Sequence, residues 1–433
     1  MKQLKEWAAF ALQEAKNQGA DFAQVMVSTS EKKEFNIESG QFTLMRTLLG
    51  SSLSLSVFQN QCHGSVAINR LDQEAIREAA RNAVAAAAGS MPDEAWEIDQ
   101  SGRQETFTCG AVEADLDKLF ARTKELLEHT KERHPGLMVE QSVTDHTQGK
   151  TVYMNTYGTT YEKVAGDYDF YIGYIAHGEG TSSHIFGSGV CLDNLDTPII
   201  DCERVEQQMA AVERQASPVP FEGKTTGTVL FTPGCLTDVV VGTILGQFVS
   251  DGSLIEGTSP WKDKLGQQVA DSRFSLRIAP SDPRMVCGQN FTGEGYLSED
   301  FDIIRNGVLK HFYLSQYGAN KTGQKRGGCT SSAYVCAPGE EALEDIIAGI
   351  EDGIYIGRFS GGQPGANGEF SGIAKNSFRI RNGKVCEALA ETMISANLLD
   401  MLQNLRAVSR ETADDGRISM PFMAFDGITI SGK

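Results

Sequence analysis

The sequence predicts an α+β protein, with N-terminal α+β layers followed by a large C-terminal domain rich in antiparallel strands around a central buried helix. Residues 52–58, SLSLSVF, alternate polar and apolar side chains, which is typical of a strand with one buried face. Residues 232–250 instead carry apolar side chains at helical spacing. Asn-Gly pairs at 306–307 and 382–383 lie between strand-like runs and predict hairpins of antiparallel strands.

Residues 1–92 predict a first α+β domain. Residues 1–18 form an amphipathic helix that ends before Gly19-Ala20. Asp72 is suited to cap a second helix over residues 73–88, which is rich in Ala and ends at Gly89. Strands are predicted between these helices, over residues 22–29, 34–38, 52–58 and 64–68.

Residues 111–216 predict a second α+β domain. The acidic, turn-rich residues 90–110 before it are expected to form a linker. Gly166-Asp167 is expected to be a turn between two of its strands. Helices are predicted over residues 114–133 and 205–216, and antiparallel strands over residues 139–145, 150–155, 159–164 and 168–176.

Residues 221–433 predict a β-rich domain built around the helix of residues 232–250. Thr232 can act as the N-cap, and Pro233 suits the first helical position because no backbone donor is needed there. Polar side chains along this helix make it unsuitable for crossing a membrane, so we expect it to be buried in protein. Further helices are predicted over residues 340–351 and 388–405, a loose glycine-rich segment over 357–372, and strands over 274–278, 301–305, 308–313, 354–356, 378–381 and 425–430.

The composition argues against two classes of partner. The chain has 39 Lys and Arg against 57 Asp and Glu, whereas phosphate binding requires clustered basic side chains. We therefore expect no direct nucleic-acid binding, and the lack of a basic amphipathic run predicts no membrane binding either. The amphipathic N-terminus differs from a signal peptide, and nine scattered cysteines without a CxxC pair predict reduced thiols. Both features indicate a cytoplasmic protein.

No motif in the sequence indicates catalysis by this chain. It contains neither HExxH nor HExxxH, and it lacks GxSxG and a P-loop. His129 and His134 lie in a charged segment at a helix end, and we interpret them as solvated side chains rather than metal ligands. His177 and His184 flank a glycine-rich loop, which rarely holds ligands rigidly. The acidic pair Asp414-Asp415 is typical of a solvated face.

Short segments in a fixed order nevertheless resemble a known family. They are IESG at 37–40, GSVA at 64–67, NTYG at 155–158, IYI at 354–356, NGEFSG at 367–372, RNGK at 381–384 and TISG at 429–432. Through these segments the chain resembles, over nearly its whole length, the TldD/PmbA (TldE) family, described as modulators of DNA gyrase and as metallopeptidases.

The resemblance implies where a zinc site would lie. In TldD-like members the central helix carries HExxxH, whose two His bind a catalytic zinc and whose Glu acts as base, and a Cys near the C-terminus completes the ligands. Alignment through Gly242 puts the His, Glu and His positions on Asp238, Val239 and Thr243. Val cannot take a proton, Thr is a poor zinc ligand, and residues 412–420 contain no Cys. The resemblance is therefore to the PmbA/TldE-like branch, and we expect no catalytic residue, metal or cofactor in this chain.

A non-catalytic subunit of a heteromeric zinc protease is the function that the resemblance implies. In the family, a TldE-like chain joins a zinc-holding TldD-like subunit, and the pair processes extended peptides. We expect that heterodimer here, or a homodimer without the companion. A peptide groove is expected along Asn367, Gly368, Glu369, Phe370 and Ser371, where a bulky residue at 368 should weaken processing without unfolding the protein. Two alternatives stay open: a stand-alone metallopeptidase-family hydrolase, and a modulator that contacts DNA gyrase directly.

Overall fold

The computed structural model describes residues 1–390 and 392–432. Its N-terminal part is a single sheet covered by helices. The elements in chain order are α1 Lys2–Asn17, β1 Phe22–Glu38, β2 Gln41–Gln59, β3 Cys62–Ile68, α2 Gln73–Ala88, β4 Gln104–Gly110, α3 Leu116–Arg133, β5 Leu137–Asn155, β6 Thr160–Ala176, β7 Phe186–Leu192 and α4 Val205–Glu213.

The two N-terminal domains predicted from the sequence share this sheet. The strand order is β3-β2-β1-β5-β6-β4, with β7 also paired to β6. Antiparallel pairing of β1 with β5 runs from Gln24 opposite Asn155 to Glu38 opposite Gln141, across the predicted boundary. Two apolar cores lie along the sheet, one against α1 and α2 and the other against α3 and α4. The predicted boundary therefore separates two cores but not two sheets.

Strands β5 and β6 are each continuous where the sequence indicates two shorter strands. The predicted turn at Gly166-Asp167 is wrong, because Gly166 pairs with Gln148 within the β5–β6 ladder. A Cβ atom at Gly166 would lie 1.9 Å from the carbonyl oxygen of Ala111. Glycine in a strand can mark such a close backbone approach as well as a turn. The predicted linker likewise contains β4, which pairs in parallel with β6.

The C-terminal part wraps a second sheet around the central helix. Its elements are β8 Val219–Pro220, β9 Lys224–Phe231, α5 Pro233–Leu236, α6 Asp251–Ile255, β10 Leu276–Ile278, β11 Phe301–Arg305, β12 Val308–Leu309, α7 Gln316–Thr322, β13 Tyr334–Cys336, α8 Leu343–Ala348, β14 Asp352–Gly362, β15 Glu369–Arg381, β16 Lys384–Ala390, β17 Thr392–Asn397, α9 Leu398–Gln403, β18 Leu405–Asp414 and β19 Ile418–Ser431. The strand order is β12-β11-β10-β13-β19-β9-β14-β15-β16-β8, with β17 paired to β15 and β19, and β18 paired to β19.

The central helix, residues 233–248, lies in the largest apolar core of the molecule. Val239, Val240, Ile244 and Phe248 on this helix are at most 1% exposed, and they pack with residues of β9, β14 and β19. This arrangement confirms the predicted α+β class with a buried central helix. Within the described ranges, no helix combines the length and apolar character needed to cross a bilayer.

The helix predicted over residues 388–405 is wrong for most of its length. Residues 384–390 and 392–397 are strands, and only residues 398–403 are helical. Residue 391, inside that prediction, lies outside the described residues. Helical preference is weak beside tertiary pairing, and here β17 bonds to both β15 and β19. The glycine-rich run 357–372 is mostly the β14–β15 hairpin rather than a loose loop.

Candidate functional site

The central helix begins with the predicted cap and then changes its winding. The Oγ1 atom of Thr232 accepts a 3.4 Å hydrogen bond from the backbone N–H of Cys235. Residues 237–241 and 244–248 are π-helical, and the N–H of Gly242 donates to the carbonyl of Thr237, five residues earlier. Short π-helical segments are rare and frequently occur at functional sites. A π-helical turn contains more residues than an α-helical turn. Residues 238 and 243 therefore lie closer to the same face of the helix than they would in a regular α-helix.

The three zinc-motif positions on this helix do not fit a metal ion. Asp238 is exposed, and desolvation raises the pKa of its carboxyl while the positive charge of Arg358 lowers it. Val239 is 0% exposed and belongs to the apolar core, and Thr243 is 4% exposed. In the part of the chain that the structure describes, no group of three His, Cys, Asp or Glu side chains converges at this helix. One carboxylate beside a valine and a threonine lacks the imidazole and thiolate donors that zinc selects.

The C-terminal segment that would carry a cysteine ligand forms a turn held by the side chain of Asp415. Asp415 accepts 2.8 Å hydrogen bonds from the N–H groups of Arg417 and Ile418. A Cβ atom at Gly416, whose φ is +84°, would lie 2.0 Å from the carbonyl oxygen of Cys191 in β7. Only glycine therefore fits at the point where this turn presses against the N-terminal sheet.

A cavity of about 420 Å³ lies between the N-terminal sheet and the C-terminal domain. Its walls come from β6, β7 and α4 on one side, and from residues 232–234 at the start of the central helix and residues 413–417 on the other. The guanidinium of Arg417 spans the junction, with 3.0 and 2.5 Å hydrogen bonds to the two carboxylate oxygens of Asp169. The volume is within the roughly 300–1,000 Å³ range of ligand sites, so the junction can hold a small ligand or a short peptide segment.

Glu203 is the most perturbed carboxyl group in this cavity. Burial is the largest cause that raises the pKa of Glu203, and the hydrogen bond from Gln208 opposes it. Together with the negative charge of Asp415, which also raises it, the resulting pKa is about 7. The amide Nε2 of Gln208 lies 2.6 Å from a carboxylate oxygen of Glu203. A carboxyl that titrates near neutral pH in a cavity can exchange a proton with a ligand. Glu203 is therefore the residue of this cavity best suited to proton transfer.

A second polar group in the cavity has hydrogen-bonding capacity left over. The Nδ2 atom of Asn376 donates to Gln215 Oε1 at 2.9 Å, and its Oδ1 atom is buried without a hydrogen-bond partner. Asn376 has a φ of +48°, in the left-handed region that Asn tolerates better than most residues. A buried, unpaired acceptor is costly, and a ligand N–H could satisfy it.

The residues predicted to border a peptide groove lie elsewhere. Residues 367–371 form the end of the β14–β15 connection and the start of β15, and none of them lines the cavity. Gly368 has a φ of +81°, and a Cβ atom there would lie 2.7 Å from Oδ1 of Asn397. A bulky side chain at 368 would thus strain the backbone, so such a substitution is expected to lower stability as well as to affect any groove there.

The sequence carries no signal that singles out the cavity residues. Glu203, Asn376 and Arg417 lie in segments without a motif, and Asp415 belongs to an acidic pair of the kind that is typical of a solvated face. They meet only because the C-terminal turn packs against β7 and α4. No spacing in the sequence carries that information.

The outer end of the β1–β2 hairpin exposes a run of apolar side chains. Residues 41–50 of β2 pair with β1, whereas the β2–β3 ladder starts at Leu53. Large apolar patches and unpaired strand edges on a protein surface mark interaction sites. We call this surface the hairpin patch; its members and their exposed fractions are Phe42 36%, Leu44 47%, Met45 60%, Leu48 42% and Leu49 78%.

Comparison with known proteins agrees with this architecture. The family model described as "PmbA/TldA metallopeptidase C-terminal domain" matches residues 223–432. The Metalloprotease PmbA homolog of Haemophilus influenzae is 23% identical over 448 aligned positions, which cover 100% of this chain and 97% of the relative.

Two solved structures share the fold over the full length. TldE from Thermococcus kodakarensis matches with a TM-score of 0.84 and 20% identity, covering 99% of this chain and 100% of that one. A Bacteroides thetaiotaomicron protein described as a candidate modulator of DNA gyrase matches with a TM-score of 0.85 and 21% identity, covering 99% of both chains. Residues 223–432 therefore form a C-terminal domain of the PmbA/TldD type, and the chain is similar over its full length to a PmbA homolog.

Proposed function

We propose that this chain is a non-catalytic, PmbA/TldE-like subunit of a zinc peptidase pair, and that it binds extended peptides without cleaving them. The observation that carries this proposal is the donor set on the central helix. Asp238, the fully buried Val239 and Thr243 occupy the positions where a TldD-like chain needs two imidazoles and a carboxylate. The catalytic zinc of the pair would then belong to the companion chain.

The hairpin patch supports association with a second chain. Its apolar side chains lie along an open strand edge, where a partner strand can add hydrogen bonds while side chains pack over it. Phe42 in the patch stacks on Phe120 of α3 with ring centroids 4.7 Å apart, so the apolar surface continues onto the helix layer. A TldD-like chain is the proposed partner, and a second copy of this chain is the proposed substitute.

The junction cavity supports peptide binding. An extended peptide offers backbone N–H groups to acceptors and carbonyl groups to donors. Oδ1 of Asn376 is a free acceptor, and Arg417 is a half-exposed donor at the junction. We propose a cytoplasmic location for the pair, because all nine cysteines are free thiols, as the reducing cytoplasm maintains them.

The proposal is tested by reconstitution with a TldD-like chain. Cleavage of an unfolded peptide is measured for each chain alone and for the equimolar mixture. We expect the mixture to cleave at least tenfold faster than the companion alone, and this chain alone to be inactive. A Leu44→Asp, Leu49→Asp variant should lose the stimulation because two carboxylates in the hairpin patch oppose its burial. A mixture no faster than the companion alone would overturn the proposal.

The same preparation separates the two alternatives. Peptide cleavage by this chain alone that a chelator abolishes would support a stand-alone hydrolase. Recovery of DNA gyrase on the immobilised chain, without any TldD-like protein, would support direct modulation of gyrase. Under the proposed function neither result is expected.

A further inference from the structure

Two histidines and a glutamate meet where α3 ends and α4 begins. His129 lies in the last turns of α3, His134 directly follows that helix, and Glu206 is in the first turn of α4. The Nε2 atom of His129 is 2.7 Å from Oε2 of Glu206, and Nε2 of His134 is 3.3 Å from the same oxygen. The three potential ligand atoms lie within 4.8 Å of one another.

His134 is the residue that indicates a ligand in this cluster. Its side chain is 5% exposed, and its Nε2 atom is buried without a hydrogen-bond partner. Its other ring nitrogen, Nδ1, lies 3.0 Å from Oε2 of Glu213, whose Oε1 accepts the N–H of Gly136 at 2.8 Å. When Nδ1–H donates to Glu213, the lone pair of Nε2 faces Glu206, and two acceptors then meet without a proton between them.

We propose that His129, His134 and Glu206 bind a divalent transition metal of the zinc class. Two imidazole nitrogens and one carboxylate form a known three-residue zinc set, with water in the fourth position. The hydrogen bond from His134 to Glu213 is the outer-shell contact that orients metal-binding histidines. Magnesium and calcium prefer oxygen ligands, so a nitrogen-rich site selects against them.

Two of the three spacings between ligand atoms are close to those that the ion needs. With metal–ligand bonds of about 2.0 Å, ligand atoms around a tetrahedral zinc lie roughly 3.3 Å apart. The contact of His134 with Glu206 already has that length, and the contact of His129 must lengthen by less than 1 Å. His129 and Glu206 are on partly exposed side chains that can move by this amount.

The ion would tie α4 to α3. Gln208, Val212 and Gln215, in or just after α4, line the junction cavity, so a metal at Glu206 would hold one wall of the cavity in place. This inference departs from the expectation that the chain holds no metal, because the structure buries a histidine that the sequence placed at the surface. It does not depend on the proposed subunit role, since the site is separate from the central helix.

The test is metal binding by the full-length, untagged chain after removal of metals with a chelator. Titration with Co²⁺, followed by visible absorption, and competition with Zn²⁺ should give one site per chain. We expect His134→Ala to abolish this binding and Glu206→Gln to weaken it at least tenfold. His177→Ala, an exposed histidine outside the cluster, is the matched control and should bind like the parent.

Two further measurements keep the outcome independent of folding. Glu213→Gln keeps all three ligands and should weaken binding about 10-fold to 100-fold, as loss of an outer-shell partner does. Saturating Zn²⁺ should raise the Tm of the parent and leave the Tm of His134→Ala unchanged, because that variant is expected not to bind the ion. Failure of the folded parent to bind one metal ion, or parent-like binding by His134→Ala and Glu206→Gln, would overturn the site. Absorption bands of cobalt–thiolate bonds would assign the ion to cysteines and would also overturn it.

Discussion

The central helix and the α3–α4 junction differ in whether they carry side chains that can bind a metal ion. The central helix carries the three positions that the family resemblance implies for a zinc motif, yet the side chains there are an aspartate, a buried valine and a buried threonine. The α3–α4 junction carries none of the sequence motifs discussed above, yet it brings two imidazoles and a carboxylate within 4.8 Å. A preserved scaffold thus says little about metal binding unless its donors are preserved with it.

The two regions also differ in the substitutions that they can tolerate. Val239 packs among the apolar side chains of the C-terminal core, so a polar group at this position would have no hydrogen-bond partner. Around His134 the polar groups are already paired through Glu213, with one nitrogen left for a ligand. We therefore expect substitutions in the C-terminal core to change stability, and substitutions in the N-terminal layers to change pH response and association.

The largest effect is expected for Val239→Glu. The substitution restores the acidic residue of the zinc motif, but it places a carboxylate at a position that is 0% exposed. Burying an unpaired carboxylate should lower the free energy of unfolding by about 3–5 kcal/mol, measured by urea denaturation. Asp238→Asn, at an exposed position, is the control and should change it by less than about 0.5 kcal/mol. A Val239→Glu protein that is as stable as the parent would contradict the conclusion that Val239 lies in a fully packed apolar core.

Gly368→Ala should destabilise the C-terminal domain by about 2 kcal/mol. Its φ of +81° is strained for alanine, and the added Cβ atom would meet Oδ1 of Asn397 at 2.7 Å. Gly365→Ala, in the same connection but without a positive φ, is the matched control and should be nearly neutral. Thermal and urea denaturation of both variants measure the difference. Equal stabilities of the two variants would mean that the backbone of residues 365–368 can accommodate a side chain at position 368 without strain.

Glu203→Gln should stabilise the protein at high pH by about 1–2 kcal/mol. The folded pKa of Glu203 is about 7, above the usual 4.5, so folding favours the protonated carboxyl. Its contribution is fully present below pH 4.5 and is lost as the pH rises to about 7. The neutral amide removes this loss, so the gain should appear at pH 8 and vanish near pH 4.5. Urea denaturation of both proteins across this pH range measures the difference. The same pH dependence of stability in both would contradict the raised pKa of Glu203.

Leu49→Asp should have the smallest effect on stability and a clear effect on association. Leu49 is 78% exposed, so its replacement should change the free energy of unfolding by less than about 0.5 kcal/mol. If the hairpin patch is an interface, the charge should weaken association at least tenfold, as measured by light scattering with and without a TldD-like chain. Lys33→Asp, on the paired strand β1, is a charge-changing control. Unchanged association would remove the patch from the interface.

The sequence predicted the local elements well where local signals dominate. The caps at Asp72 and Thr232 are confirmed, as are the Asn-Gly turns at 306–307 and 382–383, whose four residues all have positive φ. The predictions failed where distant segments decide the conformation. Gly166 accommodates Ala111 rather than forming a turn, and residues 392–397 join a sheet despite their helical pattern.

The candidate sites divide in the same way. The donor types at positions 238, 239 and 243 can be read directly from the sequence once the helix is aligned, because side-chain chemistry at a position does not depend on packing. The groove proposed at residues 367–371 could not be checked without coordinates, and the structure places those residues outside the junction cavity.

From the sequence by itself came the α+β class and the buried central helix, because these follow from apolar spacing; the family resemblance added the expectation that zinc donors are replaced on this helix. Only the tertiary structure brought Glu203 beside Asp415 and His134 beside Glu206. Those pairs join residues that are 212 and 72 positions apart in the chain. The physical reason is that long-range packing, and not local pattern, determines which polar side chains lose water together and so change their chemistry.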